Sequence, residues 1–79
     1  MNLLVHLRPA EYDPWKAEFD AAYEERMQSG LTLMQLWRGV DGGGVTALFD
    51  LNDRADAQAW LDRERARGAQ MDARFLVNA

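Results

Sequence analysis

The stretch AEYDPWKAEFDAAYEERMQSG, residues 10–30 of a 79-residue chain, decides the fold. Positions 15, 19, 22, 23, 26 and 27 recur at the spacing of an α-helix and fall on one face. Glu18, Asp20, Glu24 and Glu25 fall on the other. Asp13 is placed to cap the first turn, Pro14 suits the first helical position, and Gly30 suits the stop. A helix with one aromatic face and one acidic back needs a layer to pack against. The rest of the chain must supply that layer.

Three stretches on either side alternate with the period of a strand, LLVHLR (3–8), LTLMQLWRG (31–39) and QMDARFLVN (70–78), and a fourth, VTALFDL (45–51), joins them. A second helix starts at Asp53, turns Ala57, Trp60 and Leu61 inward, crowds Arg63, Arg65 and Arg67 into its last turn and stops at Gly68. The order is βαββαβ. Right-handed crossovers then predict an α+β, ferredoxin-like domain over residues 1–79, with an antiparallel sheet in the order 4-1-3-2 and both helices on one face. The covered face collects Leu3, Val5, Leu7, Met34, Leu36, Ala47, Phe49, Ala73, Phe75 and Val77. This partition assumes a two- or four-residue loop within VDGGG. A three-residue loop would reverse it, because a one-residue slip flips every side chain.

The uncovered face holds Leu4, His6, Arg8, Leu33, Gln35, Trp37, Thr46, Leu48, Asp50, Asp72, Arg74 and Leu76. Five of these are large and apolar, and burying them would be worth on the order of 8–15 kcal/mol gross. The same face carries charges that need partners once covered. A second copy laid sheet to sheet satisfies both demands, so a homodimer with a semi-polar cavity between the sheets is expected. Antiparallel order predicts Arg8, Thr46, Trp37 and Asp72 at one end, and His6, Leu48, Gln35 and Arg74 in the middle. Leu4, Leu33, Asp50 and Leu76 form the other end. An Arg8–Asp72 ion pair would orient one wall. The candidate site is therefore His6 and Arg74 as catalytic groups, with Arg8, Gln35, Trp37, Leu48 and Asp72 lining the ligand.

Composition removes several classes. There is no Cys, which excludes disulfides and thiol nucleophiles and points to the cytosol. Nine basic residues against 13 acidic ones give a net charge of −4, with no basic stripe for nucleic acid. No segment has the apolar length of a membrane span or the pattern of a signal peptide. One His and separated carboxylates leave no metal-ligand spacing. Asp41-Gly42-Gly43-Gly44 joins two strands, so it is a hairpin and lacks the helix N-terminus of a phosphate cradle.

Tyr12, Asp13, Trp15, Lys16, Phe19 and Asp20 at the opening of the first helix, with His6 on the first strand, resemble a pattern in small members of the dimeric α+β barrel superfamily, the antibiotic biosynthesis monooxygenase-like domains. The specific match covers about residues 3–30. The short RARGAQ (65–70) departs from relatives that carry an extra turn there. The resemblance implies a homodimer with facing sheets; no cofactor is expected for this chain. Such relatives include oxygenases needing no metal or flavin, isomerases, cyclases, haem-degrading enzymes and proteins without known activity.

Two functions compete on this basis. One is a dimeric domain that binds a small molecule, or simply assembles. The other is an enzyme acting on a small phenol or enol, with His6 moving a proton and Arg74 or Arg8 holding the oxyanion. A regulatory module of the amino-acid-binding type ranks last, since RPAEYD (8–13) lacks a glycine-rich approach.

Overall fold

The computed structural model describes residues 1–79. It orders them as β1 (Asn2–Leu7), α1 (Tyr12–Ala21), α2 (Tyr23–Gln28), β2 (Leu31–Arg38), β3 (Val45–Leu51), α3 (Arg54–Ala66) and β4 (Met71–Leu76). The strands form one four-stranded antiparallel sheet in the order β2-β3-β1-β4. This is the ferredoxin-like α+β arrangement expected. Leu3 and Val5 of β1 with Ala47 and Phe49 of β3 meet Ala57, Trp60 and Leu61 of α3 in one buried cluster, with Phe19 of α1 packed against it. Phe49 lies at the centre, its ring 6.4 Å from Phe19 and 5.7 Å from Trp60 between centroids.

The β2–β3 hairpin closes with Gly39 N–H donating to the Gly44 carbonyl at 2.8 Å, which leaves a four-residue loop, 40–43. The expected parity follows, with Leu36 opposite Ala47, Gln35 opposite Leu48 and Trp37 opposite Thr46. It fails further along β2. Leu33 pairs with Phe49 and Gln35 with Leu48, so Met34 is an extra residue in a β-bulge. Met34 is therefore exposed rather than core, Leu33 does not share the parity of Gln35, and Leu31 takes the buried place opposite Leu51. Val77 also leaves the expected core, because β4 ends at Leu76.

The helical stretch stops at Gly30 as expected, with φ +76°, but differs from its expectation at its start and in the middle. It starts at Tyr12, after an extended Glu11 whose side chain makes no cap, so Asp13 and Pro14 occupy the first turn. Proline is tolerated there because first-turn N–H groups have no helical partner. The single expected helix is interrupted at Ala22 (φ −86°, ψ 13°). At this turn Arg26 Nη1 donates to the Phe19 carbonyl at 2.5 Å, and its guanidinium lies over the Phe19 ring at 3.8 Å. A side chain bonded into the carbonyl ladder is a recognised cause of such a break. Beyond it Arg26 is buried, while Tyr23 and Met27 are exposed. Helix α3 follows the expectation for the second helix of the sequence, with Asp53 accepting from Ala55 N–H at 2.9 Å.

Candidate functional site

No helix covers the second face of the sheet. Strand pairing arranges it in rows: Asp72, His6, Thr46 and Trp37, then Arg74, Leu4, Leu48 and Gln35, then Leu76, Asn2, Asp50 and Thr32. Trp37 is 48% exposed, and Leu4, Leu48 and Leu76 are half-buried. Four ion pairs form in the chain, Lys16–Asp20, Arg63–Glu25, Arg67–Glu25 and Arg67–Glu64. All involve helix residues or the residue capping α3. Asp50, Asp72 and Arg74 on the sheet face have no ionic partner.

His6 anchors the first row. Its Nδ1 and Thr46 Oγ1 are hydrogen-bonded at 3.0 Å, with the proton's owner depending on the imidazole tautomer. Nε2 has no hydrogen-bond partner. It lies beside Gly44, whose φ of +90° suits glycine and where a Cβ would collide with the Leu7 carbonyl and approach His6 Nε2 to 3.2 Å. The hairpin's last glycine thus lets β3 enter close to the imidazole.

The expected rows shift in two respects: β1 slides by one row, and Thr32 stands beside Asp50 where Leu33 was expected. His6 sits in the end row with Asp72, Thr46 and Trp37, and Arg74 lies one row away beside Leu4. Arg8 follows the end of β1, is exposed, and makes no ion pair with Asp72. Arg74 keeps its expected row with Leu48 and Gln35, while β1 slides along it, so that Leu4 replaces His6 there and Arg8 leaves the end row. His6, Arg8 and Asp72 still share a groove of about 440 Å³ at the sheet end, with Arg65 and Gln70.

A second space lies under the helices. A partly open cleft of about 490 Å³ runs between Trp15, Glu18, Phe19 and Arg26 on one side and Trp60, Glu64, Arg67 and Ala69 on the other, over a floor that includes Val5, Ala47 and Phe49. Trp60 is 5% exposed, and its Nε1–H is buried without a hydrogen-bond partner. Burial holds the Arg26 guanidinium below its ordinary pKa, against the opposing pull of Asp20, Glu64 and Glu25. Arg67 is raised instead, first by its hydrogen bond to Glu25 and then by the charges of Glu25 and Glu64. No cluster of His, Asp and Glu is arranged to hold a metal ion.

Residues 1–63 match the family model described as a domain of unknown function, DUF3303. The chain belongs to the DUF3303 family. The matched span of this DUF3303 domain takes in β1 through most of α3, and so includes His6, Trp37, Leu48 and Trp60. No curated protein matches it. No helix in this DUF3303 domain is long and apolar enough to cross a membrane.

The space under the helices was not anticipated from sequence. One signal pointed to it: Arg26 occupies an inward position of the 15, 19, 22, 26 period, where a cation must find an acceptor or an aromatic face. The unpartnered Trp60 N–H left no such trace, because a tryptophan on an inward helix face reads as core.

Proposed function

We propose that this domain acts as a sheet-to-sheet homodimer that binds a small molecule, in the manner of the dimeric α+β barrel, antibiotic biosynthesis monooxygenase-like proteins. The observation that supports it is the segregation of charge pairing. Every ion pair lies among the helices, while Asp50, Asp72 and Arg74 stand unpaired beside Leu4, Leu48, Leu76 and Trp37 on the open face. A two-fold axis through that face offers Arg74 of each copy an acidic partner and covers the apolar residues at once. The groove at His6, Arg8 and Asp72 opens at the end of the same face and supplies the polar end of a ligand site, with Trp37 and Leu48 as its apolar wall.

A second reading has one observation in its favour. His6 is oriented through Nδ1 by Thr46, and Nε2 remains unbonded. That is the arrangement of an imidazole able to exchange a proton with a phenol or enol. In this reading Arg8 or Arg74 stabilises the anion. His6→Ala and Trp37→Ala, assayed for binding and turnover against small phenols and quinols, test both readings. Weakened binding in both variants without turnover in the parent supports the binding domain, and turnover lost in His6→Ala supports the enzyme. Unchanged behaviour in both variants removes the site.

A further inference from the structure

We infer that Arg8 and Arg65 form a clamp for a small aryl monocarboxylate in the groove at the end of the sheet. The clamp rests on the proposed binding function and narrows it to one class of ligand. Three arginines crowd the end of α3, and only two of them are neutralised. Arg63 pairs with Glu25 and donates to Ser29, and Arg67 pairs with Glu25 and Glu64. Arg65 has no acidic partner. Its Nη2 donates instead to the Met71 carbonyl at 3.1 Å, and it lines the groove with His6, Arg8, Gln70 and Asp72. That single bond holds the guanidinium at the start of β4 and leaves the rest of its fork free. Arg8 also lacks an ionic partner. Its stem and His6 Nε2 each come within 3.2 Å of the point where a Gly44 Cβ would stand, so the hairpin glycine lets these two side chains lie together.

The charges set the ligand. Two guanidiniums against the lone carboxylate of Asp72 leave the groove with surplus positive charge, on a chain whose net charge is −4. Planar forks match a planar carboxylate. One carboxylate restores neutrality, whereas a dianion sets its second charge against Asp72. The apolar part of the ligand is fixed by what stands nearby. Met71 lines the groove, and Trp37, 48% exposed, lies across Thr46 from His6 in the same row. An aromatic ring suits such a wall, and about 440 Å³ is room enough for one.

The experiment is a titration of ¹⁵N-labelled full chain with benzoate, benzamide, phthalate and benzylamine, to about 20 mM at low salt. Benzoate should move the amide signals of Met71 and Asp72 and bind roughly 3–10-fold more tightly than benzamide, the contribution of exposed ion pairs. Phthalate should bind less tightly than benzoate, and benzylamine least. Arg8→Gln and Arg65→Gln should each weaken benzoate roughly 2–5-fold and spare benzamide. Asp72→Asn should strengthen phthalate more than benzoate, and salt at about 0.5 M should close the gap between benzoate and benzamide. Should Arg65→Gln fail to fold, Arg8→Gln and Asp72→Asn carry the test. Benzamide binding as tightly as benzoate overturns the clamp and leaves the proposed binding function standing. Tightest binding of phthalate overturns it as well, as do shifts centred on Arg74 or benzoate binding that neither arginine substitution weakens. No binding by any probe removes both the clamp and the binding function. Benzoate bound by a chain that sediments as a monomer removes the homodimer and retains the clamp, because the groove is built within one chain.

Discussion

Leu48→Lys should separate the proposed dimer without unfolding the protomer. Leu48 pairs with Leu4 and Gln35 in the middle row of the open face and is already half-buried within one chain. Complete burial of a leucine is worth ~1.5–3 kcal/mol, so the third or less still to be covered by a partner is worth at most about 0.5–1 kcal/mol. A two-fold interface loses it twice, or ~1–2 kcal/mol. Each substituted ammonium must also be covered without a carboxylate prepared for it, and the pair adds ~2–4 kcal/mol more. The total, on the order of 3–6 kcal/mol, raises the dissociation constant ~10²–10⁴-fold. Sedimentation velocity over about 1–100 μM reads this directly as a shift to the monomer, using the concentration dependence expected of mass action. Far-UV circular dichroism should be retained, since Leu48 faces away from the buried cluster around Phe49. An unchanged dissociation constant in a folded Leu48→Lys variant would refute the placement of the interface on this face.

Three further outcomes follow from the packing. Phe49→Ala, at a side chain 1% exposed between Phe19 and Trp60, should cost ~3–5 kcal/mol in urea unfolding. That is a large part of the total for a domain of this size. Gly44→Ala should destabilise by more than ~1 kcal/mol, through its positive φ and the collision with the Leu7 carbonyl, and should move the His6 ring resonances in NMR spectra. Asp53→Ala removes the cap that accepts from Ala55 N–H and should cost ~0.5–2 kcal/mol by thermal or urea melts.

Most of the fold was legible because two periodicities recur without conflict. Leu3, Val5 and Leu7 alternate with Leu4 and His6, and Ala57, Trp60 and Leu61 keep helical spacing, so strand and helix faces could be assigned before their partners were known. The sheet order then followed from connection rules. Where legibility ended, a local interaction overrode the period. The bulge at Met34 swapped parity along part of β2, and no residue type in LTLMQLWRG marks it. The break at Ala22 depends on Arg26 reaching the Phe19 carbonyl, a contact seven residues long that spacing alone does not reveal. The same limits apply to the site. His6, Thr46, Trp37 and Asp72 could be placed on one face from parity, but their row depended on a register two residues away from the expected one. Arg8 fell beyond the strand's end, so the ion pair with Asp72 had no rigid backbone to hold it.

Closure of the open face by a second copy is decided by the mass of the species in solution. Sedimentation equilibrium of the unaltered chain at about 10 μM and moderate salt measures that most directly. The prediction is a mass twice the 9.0 kDa of one chain, while a single-chain mass persisting to about 100 μM contradicts it.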